Sequence, residues 1–141
     1  MTALPSGETD LGRLLGDLRP CVDPERWAFC VFPGHESPPP TLGAVVTVRE
    51  AEGWTAVVPA DRARSAGLAH TGVYRRVTLM VHSSLEAVGL LAAVARALAD
   101  AGIACNAVAG FYHDHLFVPE ARADDTLAVL ARLAPGAPDR R

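Results

Sequence analysis

The chain has 141 residues, half of them apolar, and its 13 basic residues are all arginine, for a formal net charge of −3. This length and apolar content predict one domain or two very small ones and exclude a disordered chain. No apolar run reaches the roughly 20 residues that cross a bilayer, and the first residues lack the pattern of a signal peptide. We therefore expect a cytoplasmic protein that binds neither membrane nor, given its acidic balance, nucleic acid.

Three cysteines, Cys21, Cys30 and Cys105, are spread along the chain without a CxxC pair. An odd number of cysteines without a secretion signal is typical of reduced thiols in a cytoplasmic protein. We therefore predict three free, buried thiols, and no neighbouring base indicates a catalytic role for any of them.

The first part of the chain reads as a short helix, three strands and a second helix. Residues 1–8 are predicted to be flexible, and leucines at helical spacing predict a helix over residues 10–18 that ends before Pro20. Aromatic and β-branched runs predict strands at residues 26–32, 43–50 and 54–58. A proline-rich loop separates the first two strands, Gly53 forms a turn between the last two, and a helix is predicted over residues 60–67.

The second part of the chain reads as strand, helix, two strands and helix, followed by a tail over residues 135–141. The predicted strands lie at residues 73–82, 103–110 and 115–118, and the predicted helices at residues 85–101 and 121–133. The helix over residues 85–101 has an apolar face of Leu85, Val88, Leu91, Ala92, Ala95, Leu98 and Ala99. Ser83 and Glu86 have the spacing of a capping box at its start. Gly89 costs such a helix about 1 kcal/mol, which indicates either close packing or a ligand.

An internal repeat divides the chain into two halves. The segments WTAVVPADRARSAGL and HLFVPEARADDTLAVL both read as a strand, Val-Pro and the start of a helix. Another strand and a tight turn precede each copy, so the same pattern occurs at residues 43–67 and 103–133. We therefore predict two half-sized α+β units, at residues 9–70 and 71–134.

The second half matches most of a ferredoxin-like βαββαβ unit, with its long helix as the crossover between strands. The last strand of such a unit is missing after residue 133. We predict that the strand at residues 26–32 fills that place, or the equivalent place in the first half. Two complete copies do not fit in 141 residues, so we expect the halves to share strands.

Two runs of the sequence resemble a known family. EAVGLLAAVARALADAGIACNAVAG resembles the regulatory ACT domains of aspartate kinases in its glycine-led helix and its Gly-Ile-x-x-Asn strand. The segments RVTLMVHSSLEAVG and FYHDHLFVP resemble, more specifically, a family of small bacterial tandem ACT-like proteins of unknown function. The resemblance covers residues 10–133 and implies an α+β, ferredoxin-like ACT-type sandwich with two ACT-like halves.

The resemblance also implies an effector site between the first strand–helix junction and a neighbouring second strand. On this chain the matching ligand-binding positions are Ser83, Ser84, Val88, Gly89, Leu90 and Asn106. Amides near Gly89 would hold a carboxylate, and the Asn106 oxygen would take an ammonium or amide group. The first half has a PPP loop where the glycine-led helix would be, so we expect one full site per chain.

The HDH motif gives an alternative interpretation. His113 and His115 would face the same side of a strand, and His82, with His70 or His35 as substitutes, could complete a metal site. That would make the chain a metal-binding protein or a small metalloenzyme. In the structural interpretation, Asp114 accepts turn amides and the histidines bond to main-chain carbonyls.

We predict a non-catalytic regulatory protein that senses a small amino acid or a related carboxylate without a cofactor. Sequence motifs of hydrolases, P-loop proteins and dinucleotide-binding proteins do not occur in it. We expect a homodimer that acts on a separate regulated protein. A third hypothesis is a protein-interaction module that uses its sheet edge and takes no small ligand.

Overall fold

The computed structural model describes residues 2–134 of the chain. The described residues form two compact units: residues 2–23 with 76–134 form unit 1, and Pro24–Arg75 form unit 2. Among the described residues, no helix is long and apolar enough to cross a bilayer. The predicted tail at residues 135–141 lies outside the described residues.

Helices and strands alternate much as the sequence predicts. In chain order they are α1 (Leu11–Gly16), β1 (Pro20–Pro33), β2 (Val46–Glu50), β3 (Gly53–Pro59), α2 (Ala60–Ser65), β4 (His70–Leu79), α3 (Leu90–Asp100), β5 (Asn106–Ala109), β6 (Asp114–Pro119) and α4 (Ala123–Ala131). The strand order is β2-β3-β1-β4-β6-β5, with antiparallel β2–β3, β1–β3 and β5–β6 pairs. The predicted α+β fold is confirmed, and the strand predicted at residues 26–32 is part of β1, which neighbours both β3 and β4.

The core of unit 1 lies between its helices and the strands β4 and β6. Its buried residues are Leu14, Leu18, Val77, Leu79, Leu90, Val94, Leu98, Ile103, Leu116, Val118, Val129 and Leu130. Leu98 of α3 and Leu116 of β6 are fully buried. Truncating either leucine to alanine would cost about 2–5 kcal/mol of stability, because the surrounding side chains refill the space only in part.

The core of unit 2 consists mostly of small side chains. It contains Ala28, Cys30, Ala56, Val58, Ala60 and Ala63. These residues alternate along β1 and β3, so one face of each strand is buried against α2. Four of the six are alanine, so α2 packs against β1 and β3 through small side chains.

The predicted repeat is visible at two Val-Pro corners. Pro59 (φ −53°, ψ 131°) and Pro119 (φ −52°, ψ 137°) have nearly the same extended backbone, and a helical turn follows each. After Pro59 that turn belongs to α2, whereas after Pro119 a 3₁₀ turn over Glu120–Arg122 precedes α4. Proline has no N–H to leave unpaired at a helix start, which explains why both corners use it.

The predicted start of the long helix is wrong. α3 begins at Leu90, and residues 83–89 form a loop that ends at Gly89 with φ +102°. A left-handed residue stops a helix from extending backwards, so the capping box of Ser83 and Glu86 does not form. Instead, the Glu86 amide donates to Ser84 Oγ at 3.1 Å.

The buried face of α3 also differs from the prediction. Leu90, Val94 and Leu98 are buried, while Leu85 and Val88 lie in the preceding loop with 64% and 83% of their surfaces exposed. Only Leu98 of the predicted face is fully buried. The predicted helix starts five residues too early, because the spacing of Leu85 and Val88 fits a helix that the left-handed Gly89 excludes.

Strand β4 ends at Leu79, three residues before the predicted end at residue 82. The Val81 amide donates to the Leu79 oxygen at 2.8 Å, and the Ser83 amide donates to the Val81 oxygen at 2.9 Å. These are two successive three-residue turns, which break the extended conformation. They carry the chain away from the strand direction and into the loop before α3.

The cysteines are free among the described residues, as expected, but they are not all buried. Cys30 is buried, Cys105 is half-buried and Cys21 is exposed. Burial raises the pKa of the Cys30 and Cys105 thiols. Neither of these two thiols is therefore a reactive thiolate near neutral pH.

Candidate functional site

A cavity of about 150 Å³ opens where β4 leads into α3. Its wall consists of Ser83, Ser84, Leu85, Ala87, Leu90, Leu91, Ala109 and Asp114. A single water needs only about 10–15 Å³ on such a scale, so the cavity has room for a small ligand. Three polar side chains and five apolar ones give it a mixed lining.

The polar side of the cavity centres on Ser83 and Asp114. Ser83 Oγ donates a hydrogen bond to Asp114 Oδ2 at 3.3 Å, and only 7% of Ser83 is exposed. Asp114 opens β6, and its half-buried carboxylate is the only ionisable group in the wall among the described residues. An ionised carboxylate accepts hydrogen bonds only, so this side of the cavity favours a cationic donor.

The start of α3 forms another side of the cavity. Leu90 and Leu91, the first two residues of this 11-residue helix, belong to the wall. Gly89 precedes them and offers no side chain that caps the helix. The first amides of a helix have no acceptor within it and carry its positive partial charge, so they attract an anionic group.

The structure brings together part of the predicted site. Ser83, Ser84 and Leu90 line the cavity, whereas Val88 is exposed and Gly89 acts through its backbone conformation. Strand β5 contributes Ala109 in place of Asn106. Asn106 is exposed three residues earlier on β5, about 10 Å away along a strand.

Sequence reasoning missed several of the wall residues. They are Leu85, Ala87, Leu91, Ala109 and Asp114. Asp114 lies in the HDH motif, where the sequence predicts it only as an acceptor of turn amides. One sequence signal could have identified Asp114 as a site residue: it is a carboxylate at the first position of β6, directly after the β5–β6 turn.

The segment before α1 is tied to this site. Glu8, which was predicted to be flexible, forms a parallel bridge with Ser83. A second cavity of about 290 Å³ lies between this segment and the loop before α3. Its wall consists of Leu4, Pro5, Ser6, Gly7, His82, Ser84, Leu85, Glu86 and Phe111.

The three histidines of the metal hypothesis have separate partners. The His82 ring packs against Tyr112 at a centroid distance of 5.3 Å, and the His113 oxygen accepts the Gly110 amide in the β5–β6 turn. His115 Nδ1 lies 3.0 Å from Thr78 Oγ1. Within residues 2–134, no three His, Cys, Asp or Glu residues are grouped as a metal site would require.

His115 lies in a setting that disfavours its charged form. Burial lowers its pKa, and the positive charge of Arg76 and the neighbouring His113 lower it further, against an opposing effect of Asp114. Arg76 is itself held by Asp23, with Nη2 2.6 Å and Nε 3.0 Å from Oδ2. His115 is therefore a neutral hydrogen-bonding partner of Thr78 near neutral pH.

Comparison of the sequence with protein families finds two adjacent matches. A family model described as an ACT domain matches residues 6–75, and a second model with the same description matches residues 72–132. No curated protein matches the sequence.

Solved structures show the same fold. A protein of unknown function from Vibrio cholerae, described as a possible transport protein, is 41% identical, with a TM-score of 0.80 over 88% of this chain and 95% of that one. A protein from Agrobacterium tumefaciens is 20% identical, with a TM-score of 0.67 over 78% and 84% of the two chains. The regulatory subunit of aspartate kinase from Thermus thermophilus, in its ligand-free form, is 13% identical, with a TM-score of 0.61 over 81% and 95%.

Proposed function

We propose that this chain, which belongs to the ACT-domain family and carries two ACT domains in tandem, is a regulatory protein that binds a small amino acid. ACT domains are commonly regulatory modules for small molecules. The observation that carries the proposal is the cavity at the β4–α3 junction, where the Asp114 carboxylate and the uncapped start of α3 line one space.

The lining suits the three parts of an amino acid. Asp114 would accept a charge-assisted hydrogen bond from the ammonium group of the ligand. The first amides of α3 would donate hydrogen bonds to the carboxylate of the ligand. Leu85 and Leu91 supply an apolar surface for a short side chain. Because the wall holds no cation among the described residues, an acidic side chain would find no counter-charge there.

The chemistry of the wall supports a binding role rather than catalysis. Ser83 Oγ donates to a carboxylate, not to an imidazole that could accept its proton and make it a nucleophile. His115 is paired with Thr78 and does not line the cavity. We therefore assign the site to an effector and the regulated activity to a separate protein.

The proposal includes a homodimer. Strand β5 is the last in the strand order and presents an exposed Asn106. In a dimer, the Asn106 oxygen of a second copy would be available to an effector that the first copy holds through Ser83 and Asp114. Its distance along β5 from Ala109 argues against the same role within one chain.

The test is a calorimetric titration of the untagged chain with each of the twenty amino acids. We expect binding of one amino acid or a close group, and loss of about 10–100-fold in affinity with Asp114→Asn, since a hydrogen bond to a charged group is worth about 1.5–3 kcal/mol. Asp124→Asn, an exposed change in α4, is the matched control.

Other results would select the alternatives. Binding that Asp114→Asn leaves unchanged would place the site elsewhere. Stoichiometric zinc or nickel in the untagged protein, lost with His113→Ala, would favour the metal-binding hypothesis. No binding of any amino acid or metal would leave the interaction module as the remaining function.

A further inference from the structure

The residues before α1 cross the loop that forms one wall of the proposed effector site. Residues 4–10 are called the strap here, and residues 83–89 the effector loop. The Glu8 amide donates to the His82 oxygen at 2.9 Å, and the Ser84 amide donates to the Glu8 oxygen at 2.9 Å. The strap is therefore paired with the segment that carries two of the polar wall residues, Ser83 and Ser84.

Gly7 lies directly against the main chain of the effector loop. A Cβ at this position would stand 2.5 Å from the Ser83 carbonyl carbon and from the Ser84 nitrogen, and 2.8 Å from the His82 oxygen. These are distances that real Cβ atoms do not adopt, and the obstacle is main chain that cannot rotate away. Any side chain at position 7 would separate the strap from the loop.

The other end of the effector loop is also held from the N-terminal side. A Cβ at Gly89 would stand 3.2 Å from Leu11 Cδ2, so the first residue of α1 packs over the start of α3. The strap and α1 thus contact the loop at Ser83 and Ser84 and again at Gly89. Its middle residues, Leu85 and Val88, are exposed.

The strap has its own hydrogen bonds that preset its path. Glu8 Oε1 accepts the amides of Thr9 and Asp10, both at 2.9 Å, and Asp10 Oδ1 accepts the Arg13 amide at 2.8 Å as the cap of α1. The bonds from Asp10 and Thr9, assisted by Arg13, lower the pKa of Glu8. These local hydrogen bonds hold the strap in the backbone conformation that the bridge between Glu8 and Ser83 requires.

We propose that the strap sets the affinity of the effector site: closed on the effector loop, it holds Ser83 and Ser84 in their binding positions. This inference rests on the proposed function. A preorganised wall loses less conformational freedom when an effector binds, so strap closure raises affinity. By linkage, a bound amino acid must stabilise the closed strap to the same extent, which makes strap opening a readout of effector occupancy.

The first test compares Gly7→Ala with Gly16→Ala in titrations with the twenty amino acids. The first change opens the strap by placing a Cβ against the main chain of Ser83 and Ser84, and it alters none of the side chains that line the cavity. We expect about tenfold weaker binding, the worth of one or two lost hydrogen bonds. Gly16 in α1 has open space at its Cβ position, so Gly16→Ala should bind within about twofold of the wild type. Wild-type affinity in Gly7→Ala would overturn the strap proposal and leave the proposed function intact.

The second test needs no variant and therefore holds even if Gly7→Ala fails to fold. Residue-resolved amide exchange of the wild-type chain is measured with and without the amino acids that bind it. We expect the Glu8 and Ser84 amides to slow at least about tenfold, while the Val45 amide, bonded to Val57 in unit 2, stays unchanged. Unchanged exchange at Glu8 would refute the coupling, whereas failure of the wild type to bind any amino acid would refute the proposed function and the strap proposal with it.

Discussion

Ser83 and Asp114, 31 residues apart in the sequence, are joined by a hydrogen bond of 3.3 Å from the serine hydroxyl to the carboxylate. The bond links the loop before α3 to the first residue of β6. The bond gives the nearly buried Ser83 hydroxyl an acceptor and fixes one oxygen of the Asp114 carboxylate. The remaining lone pairs of that carboxylate stay available to accept further hydrogen bonds. The only charge in the cavity wall among the described residues is thereby held in place by a residue of the loop that the strap contacts.

We expect Ser83→Ala to weaken both stability and binding. Loss of a hydroxyl that donates to a carboxylate should lower the free energy of unfolding by about 1–2 kcal/mol, because the half-buried acceptor loses a partner. Affinity for the bound amino acid should fall as Asp114 loses its orientation. Urea unfolding and calorimetry measure the two effects. Ser65→Ala, an exposed change at the end of α2, should leave both unchanged, and a neutral Ser83→Ala would contradict the role of this bond.

We expect Gly89→Ala to destabilise the chain more than Gly102→Ala. Both glycines have positive φ, +102° and +68°, so alanine is strained at either position by about 1 kcal/mol or more. At Gly89 the new Cβ would also stand 3.2 Å from Leu11 Cδ2, whereas at Gly102 it would meet open space. The midpoint of urea unfolding should therefore shift further for Gly89→Ala. Equal midpoint shifts for the two variants would show that the Leu11 side chain moves away from the new Cβ without a loss of stability.

The order of elements was predictable from sequence because local patterns determine it. Two Val-Pro corners, at Pro59 and Pro119, mark the repeat, and apolar alternation marks the strands around them. The start of α3 was not predictable in the same way. Gly89 fits an interior helical position as well as a left-handed N-cap, and only the contact with Leu11 and the loop before it decide between them.

The site was predictable only where it is continuous in sequence. Ser83, Ser84 and Leu90 adjoin a recognisable strand–helix junction, and they do line the cavity. Asp114 joins them because the β5–β6 hairpin returns to the same end of the sheet, a relationship of tertiary structure that spacing does not encode. Glu8 reaches Ser83 through a single bridge, which leaves no periodic signature in the sequence.

Stability should fall as the pH is lowered below about 6.5, in part through His115. Burial, Arg76 and His113 lower its pKa from the usual 6.5, so the unfolded chain takes up the proton first. The unfolded state then binds more protons than the folded state, and unfolding becomes more favourable as pH falls through this range. Urea unfolding midpoints from pH 8 to pH 5.5 measure the slope.

The variant His115→Gln separates this effect from other titrations. It keeps a polar partner for Thr78 but removes the titrating group, so the loss of stability between pH 7 and pH 5.5 should become smaller. Thr47→Gln, an exposed change on β2 that removes no titrating group, should keep the wild-type slope. A slope that is equally steep in His115→Gln would assign the pH dependence to other groups.

Asn106→Ala distinguishes a site within one chain from a site completed by a second copy. The exposed Asn106 lies too far along β5 from Ala109 to meet an effector held by Ser83 and Asp114 of the same chain. If a partner chain supplies it, the variant should bind an amino acid several-fold more weakly, with the loss visible only at concentrations where sedimentation shows a dimer. The control is Thr47→Ala, an exposed change on β2, the strand at the opposite edge of the sheet from β5, and it should leave binding unchanged. Wild-type affinity in Asn106→Ala at dimer concentrations would show that each chain binds its effector without Asn106, and dimerisation would then serve the regulated partner rather than the effector.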